Sequence, residues 1–367
     1  MPAVFMPFPS FFRRAVFFSC SLLLPLAFWA SLIAPLAAQP PAIFPDGGSA
    51  SVTPNDFPPI ADPAMKWAQG TFAKDPSVVS FGGQYFLYYS FFMATGEKKV
   101  LTIGVATSDD LTNWTFQKNI FPMQSCDQRG LGAPCAKVLD GKVWLFYQTY
   151  GTGASDAICC AWSDDGLNFT PHPENPIFHP SGEWTNGRAI DADVLFFGEK
   201  VFLYAATRDR AGKIQMLTAA WADPKCGFGP EAWHQALDEP ILRPELPWET
   251  DCIEAPTALV RGEKVYLFYA GGYNNDPQHI GVAVSDDGVH FTRLWRIPFI
   301  TNGPEGQWNT SESGHPGIFV DQDGQTYLFY QGNNTKGKDW YLSRVLLDWD
   351  RVGEMEVPRV IDSREKP

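Results

Sequence analysis

The sequence predicts an all-β protein, a five-bladed β-propeller of antiparallel sheets, and three observations carry that prediction. One strand pattern recurs five times: Tyr85-Phe-Leu-Tyr-Tyr89, Val143-Trp-Leu-Phe-Tyr147, Val201-Phe-Leu-Tyr-Ala205, Val265-Tyr-Leu-Phe-Tyr269 and Thr326-Tyr-Leu-Phe-Tyr330. The central leucines, Leu87, Leu145, Leu203, Leu267 and Leu328, lie 58, 58, 64 and 61 residues apart. Long amphipathic helical periods are absent, and short alternating runs between Gly, Asp and Asn take their place. A repeat of this length is one small sheet. It cannot bury both faces alone, so neighbouring copies must stack on it. A β-sandwich is the alternative architecture, but it does not call for a fivefold repeat.

Each unit begins with an apolar strand that ends in a turn: Gly82-Gly83, Asp140-Gly141, Gly198-Glu199, Gly262-Glu263 or Asp323-Gly324. These read as hairpins into the recurring strand. A third strand follows, starting at Ile103, Ile158, Ile214, Ile280 and Trp340. Three of these run into Ser-Asp-Asp turns at Ser108, Ser163 and Ser285, whose acids are expected to bond their own backbone. The propeller is assigned to residues 67–367. Residues 39–66 form a Pro-rich leader expected to pack outside it. Residues 1–38 read as an export signal, with Arg13-Arg14, an apolar run and the small-residue tail Ala34-Pro-Leu-Ala-Ala38. A membrane anchor is the competing reading of that run. Cleavage would place the protein in the periplasm or outside the cell, with no membrane partner.

The formal net charge is −13, from 41 acidic and 28 basic side chains, and no basic run occurs. Nucleic acid is therefore excluded as a partner. The acidity suits solubility and a neutral substrate better than a polyanion. Beyond the signal stand Cys126, Cys135, Cys159, Cys160, Cys226 and Cys252. An oxidising compartment allows disulfides, with Cys126–Cys135 and Cys226–Cys252 as the local options. Adjacent Cys159 and Cys160 read as buried thiols.

Function shows where the repeats depart from packing logic. Twelve residues before each central leucine lie Asp75, Ala133, Asp191, Ala255 and Pro316, with Glu254 and His315 one residue before the last two. These positions open the first strand of each blade and should crowd around one mouth of the axial channel. Packing gives no reason to gather acids that repel one another. A glycosidic bond does: one carboxylate activates water, a second delivers a proton, and a third tunes that acid.

At these residues the chain resembles the five-bladed glycoside hydrolases of family 43 and, more closely, family 117. The family 43 pattern of Asp-Pro in blade one, Asp in blade three, Glu before Pro in blade four and Gly-His in blade five is matched by Asp75, Asp191, Glu254 and His315. The resemblance implies Asp75 as general base, Asp191 as pKa modulator and Glu254 as general acid, with inversion at the anomeric carbon. His315 would sit near the axial channel, where the family often holds water or calcium. No cofactor is required, and a structural calcium ion in that channel is the one metal the resemblance suggests. The family 117 likeness rests on Leu145-Phe-Tyr-Gln-Thr-Tyr-Gly151, Asn186-Gly-Arg-Ala-Ile-Asp-Ala-Asp193, Phe268-Tyr-Ala-Gly-Gly-Tyr-Asn-Asn275 and Asn309-Thr-Ser-Glu-Ser-Gly-His-Pro316. It implies an exo-acting enzyme that removes 3,6-anhydro-L-galactose from agar oligosaccharides, and a homodimer. The acid histidine that characterised members carry in a blade-four loop has no counterpart in Leu242-Arg-Pro-Glu-Leu-Pro-Trp-Glu249.

Gln148, Trp184, Arg188, Glu312 and His315 are expected to contact the sugar, the polar groups through hydroxyls and the indole through a C–H face. Arg188 is alternatively expected to pair with Asp191 or Asp193. Competing functions are a silent carbohydrate-binding propeller and a retaining fructosidase-like hydrolase or transferase.

Overall fold

The computed structural model describes residues 41–44, 66–67, 70–95 and 98–361. The proposed signal and most of the leader lie outside the described residues. Five antiparallel sheets of four sequential strands follow one another along the chain as the blades of a propeller. Their inner strands are Lys74–Phe81, Leu131–Leu139, Ile190–Phe197, Ile253–Arg261 and Glu312–Val320. The recurring motif forms the second strand of every blade. Blade four gains a fifth strand from the leader, because Ala42–Phe44 pairs in parallel with Thr292–Trp295 at its outer edge.

The aromatic-Leu-aromatic pattern has a direct packing reason. Successive side chains on a strand face opposite sides. Leu87 and Tyr89 enter the core between blades five and one, while Phe86 and Tyr88 enter the core between blades one and two. Leu145 and Phe146 divide in the same way. Five apolar clusters result, one at each blade junction. The Tyr88 hydroxyl donates to the Gly166 carbonyl at 2.8 Å, and that of Tyr204 to Gly288 at 2.9 Å, so each tyrosine anchors the Ser-Asp-Asp-Gly turn of another blade. The turn acids behave as the sequence predicts. Asp110, Asp165 and Asp287 each accept two backbone amides of their own turn, which holds their carboxyls below the usual range.

The ring closes between blades five and one without a shared strand. The Ala73 amide donates to the Trp340 carbonyl at 3.2 Å, and Tyr85 donates to Asp321 at 2.8 Å. Gly317 makes the junction sterically feasible: a Cβ there would lie 2.1 Å from the Pro76 carbonyl oxygen, a backbone atom that cannot swing aside. Gly317→Ala should therefore destabilise the protein by about 1–3 kcal/mol or more, through overpacking at the seam. Urea denaturation with unchanged m-value measures this.

The cysteines correct the local disulfide options, for all six are free thiols. Cys135 donates to Asp193 at 3.0 Å, and the nearest neighbour of Cys126 is Cys159, with sulfurs 4.0 Å apart. Among the described residues no helix is long and apolar enough to cross a membrane.

Candidate active site

Each inner strand opens with a β-bulge, where its register against the second strand slips by one residue. The bulged residue adopts a left-handed backbone in all five blades: Asp75 (φ 56°), Ala133 (45°), Asp191 (53°), Ala255 (49°) and His315 (44°). This corrects the sequence register in blade five. The residue equivalent to Asp75 there is His315 rather than Pro316, because the turn between Val320 and Thr326 is longer than in the other blades. Glu254 belongs to the position one residue earlier, shared with Lys74 and Ile190. Left-handed non-glycine residues cost about 1 kcal/mol or more each, and such strain concentrates at functional sites.

Neighbouring blades hold these bulges in place. The Asp75 amide donates to Gln331 Oε1 at 3.0 Å, the Asp191 amide to Gln148 Oε1 at 2.8 Å, and the Ala133 amide to Ser90 Oγ at 2.8 Å. Ser90, Gln148 and Gln331 all stand three residues past a central leucine, a spacing the sequence displays and the sequence reading missed. Gln331 is itself fixed, since its Nε2 donates to Glu312 at 2.6 Å. Gln331→Met keeps the volume and removes the acceptor. It should lower kcat roughly tenfold to a hundredfold while leaving KM nearly unchanged, because the base Asp75 moves while Glu312 keeps its three other donors behind the wall. Steady-state kinetics separate the two.

His315 stands between Asp75 and Glu254. Its Nδ1 lies 2.7 Å from Asp75 Oδ1, at ion-pair distance though off the line of a good hydrogen bond, and its Nε2 is 3.0 Å from Glu254 Oε1. Burial alone would favour neutral imidazole, but the charge of Asp75 and the contacts with both carboxylates push its pKa well above the ordinary value. His315 is therefore an imidazolium. Burial would raise Asp75 in turn, yet His315 and then Lys74 outweigh it and hold Asp75 at about 2. Burial likewise opposes ionisation of Glu254. The His315 contact wins, helped by Lys74 and by the Gln278 amide at 2.8 Å, and its pKa falls. Gln215 also donates to Glu254. Asp191 is the opposite case. Burial, reinforced by the charges of Glu254 and Asp75 and only partly offset by His315, raises it to about 7. Its Oδ2 is buried with no hydrogen-bond partner.

These groups border a cleft of about 350 Å³ that also includes Phe72, Lys74, Phe92, Gln148, Tyr150, Arg188, Arg208, Gln215, Tyr273 and Asn274. The structure thus brings together Asp75, Asp191, Glu254, His315, Gln148 and Arg188 from the sequence expectations. It does not bring Glu312 or Trp184 to the cleft. Glu312 is fully buried and accepts from Gln331, Asn333, Trp340 and the Asn275 amide, so it braces the wall from behind. Trp184 lies half-buried beside Gly182. Arg188 pairs with Asp156 at 3.4 Å, not with Asp191 or Asp193. Asp193 faces Lys137 at 2.8 Å and accepts from the Ala258 amide at 2.6 Å, as an inter-blade tie. Phe92, Tyr150 and Arg208 were missed, although all stand five residues past a central leucine and so share a strand face.

Asp191, Glu254 and His315 place potential ligand atoms within 4.8 Å of one another. The set does not fit calcium. That ion takes six to eight oxygen ligands, whereas this set offers two carboxylates and one imidazole nitrogen.

Comparison with known proteins gives this geometry a context. The family described as "Glycosyl hydrolases family 43" matches residues 69–348. A thermostable family-43 glycoside hydrolase of known structure superposes with a TM-score of 0.61 at 17% identity, over 82% of this chain and 97% of that one. An α-L-arabinofuranosidase from Lactobacillus brevis superposes at 0.59 and 18%, over 78% and 93%. At such identities these likenesses show the fold. A β-1,2-mannobiose phosphorylase of Thermoanaerobacter sp. (strain X514) is 28% identical over 127 residues, 30% of this chain and 40% of that protein. The chain spans about two fifths of the length of the curated relatives it matches.

Proposed function

The chain belongs to glycosyl hydrolase family 43, and from that premise we propose that it is an exo-acting, inverting glycosidase that releases a neutral terminal sugar from an oligosaccharide. The observation that carries the reading is the convergence of three acids, Asp75 from blade one, Asp191 from blade three and Glu254 from blade four, on one cleft. His315 holds the Asp75 carboxyl down, while burial raises that of Asp191. Inversion is the outcome that membership of the family supports, and it needs the acid and the base ~6.5–9.5 Å apart to admit a water molecule.

In this reading Asp75 takes a proton from water as the oxygen attacks the anomeric carbon. The leaving oxygen departs toward blades three and four and is protonated there. Glu254 already accepts from Gln215 and Gln278 and faces His315, whereas the buried Asp191 Oδ2 has no partner and burial raises its carboxyl toward neutral pH, so we assign Asp191 the acid role. Glu254 stays ionised, raises Asp191 by repulsion and fixes His315. This exchanges the roles that the family resemblance implies for Asp191 and Glu254. The likeness to family 117 and the arabinofuranosidase neighbour support 3,6-anhydro-L-galactose or arabinofuranose as the terminal sugar. A silent binding propeller would have no use for three strained or desolvated acids in one cleft.

The test is a screen on red-algal galactan oligosaccharides and arabinosides, with the first-formed anomer read by proton NMR. Inversion supports the proposal. Retention of configuration, or no cleavage of any member, refutes it.

A further inference from the structure

We infer that the cleft recognises an anionic group on the leaving-group side of its substrate, a uronate carboxylate or a sulfate ester, held by Arg208 with Arg188 beside it. The inference rests on the glycosidase reading and names a part of the substrate.

The first observation is charge. The chain carries a formal charge of −13, yet the cleft cations Lys74, Arg188, Arg208 and His315 match Asp75, Asp191 and Glu254 together with Asp156, which answers Arg188. Burial raises the Asp191 carboxyl to about 7, and its proton leaves the cleft with a positive excess below that pH. A cationic cleft in an acidic protein draws anions to one place.

The second observation is geometry. Arg208 Nε and Arg188 Nη1 both donate to the same oxygen, Gln215 Oε1, at 2.9 and 3.4 Å. Two like charges are thereby held side by side. Arg188 has Asp156 to answer it. Among the described residues no carboxylate pairs with Arg208, whose other neighbour is the Tyr273 ring, 5.8 Å from its guanidinium carbon. An anion seated between the two guanidinium groups would relieve their repulsion. Their planar forks match the paired oxygens of a carboxylate or sulfate.

The third observation is placement. Both arginines belong to blade three, and Gln215 bridges them to Glu254 in blade four. Asp75 stands across the ring in blade one. Attack from the Asp75 side pushes the leaving group toward blades three and four, so the group the arginines meet belongs to the neighbouring sugar. The sugar that is released can stay neutral.

The experiment uses full-length Asp75→Asn, and its monosaccharide probes carry no glycosidic bond to cleave. Calorimetry compares glucuronate, galacturonate and galactose 6-sulfate with their neutral parents and with inorganic phosphate. The acidic sugars should bind at least tenfold more tightly than the parents, with an advantage that shrinks as salt rises. Adding Arg208→Gln should remove the advantage, and Arg208→Lys should restore part of it, which a mere folding defect would not do. A carboxylate or a sulfate preference would each support the site and identify its source. Equal binding of acidic and neutral sugars, or an Arg208→Gln variant that keeps the preference, overturns it. Phosphate that accelerates bond cleavage by the wild-type protein also overturns it, since the anion would then be a reactant. Because binding is read without turnover, this inference can fail while the hydrolase reading, judged by the product anomer, stands.

Discussion

Asp75→Asn should lose roughly 10²–10⁴ of kcat, the contribution of a positioned general base, while the protein keeps its fold. The side chain changes by one atom, and its backbone amide remains tied to Gln331 at 3.0 Å. The substitution removes the charge that, with Glu254, sustains the His315 imidazolium, so the His315 pKa should fall as well. Turnover on any substrate from the screen, alongside the near-ultraviolet dichroism, gives both readouts. Full activity would strip Asp75 of the base role. A collapsed spectrum would make it a structural residue. The charge state also affects stability. Asp75 sits at about 2, below its unfolded value of 3.8. Its stabilising contribution is present above about pH 4 and is lost as pH falls toward 2.

Asp191→Asn should cost a similar factor on substrates with poor leaving groups and much less on activated aryl glycosides, which depart without a proton. Glu254→Gln should show no such rescue if Asp191 is the acid. Rescue of Glu254→Gln alone would restore the roles implied by the family resemblance. In the wild-type protein, kcat/KM should fall above pH 7, because that profile reports the free enzyme and Asp191 loses its proton there. The variant should lose this limb. The sign for stability is opposite to that of Asp75. Folded Asp191 holds a proton between its unfolded value of 3.8 and about 7, so its contribution declines as pH rises through that window. Asparagine at this position removes a buried charge and should raise the melting temperature above pH 7. His315 has the same sign as Asp191: its contribution is complete below its ordinary value of 6.5 and is lost as pH climbs through the raised folded value.

The propeller was legible because its cause is local. A period of two, a central leucine between aromatics and a turn residue in front define a strand whose two faces need neighbours, and five copies leave a closed ring as the solution. The acids were legible as departures from that repeat. Asp75, Asp191 and Glu254 have no packing reason to be where they are, and the structure gathers them with His315 around one cleft. Two residues lie elsewhere than expected because residue type says nothing about direction, and a third because turn length shifts the register. Glu312 is polar and close in sequence to His315, yet its side chain turns inward to four donors. Trp184 precedes Arg188 by four residues and misses the cleft. Pro316 satisfied a count from Leu328 that a longer hairpin turn displaced by one residue.

What the sequence determined by itself is the module, its number of copies and the strand position that carries chemistry, because hydrophobic alternation and turn residues act over a few residues. What the tertiary structure alone decided is the protonation of the site and the company of its charges. Asp75 and Asp191 are the same residue at the same repeat position. One lies against an imidazolium from blade five, and the other is buried with an unpartnered oxygen beside Glu254. Their affinities for a proton diverge because burial and neighbouring charge are set by which blades meet, and no local pattern along the chain encodes that meeting.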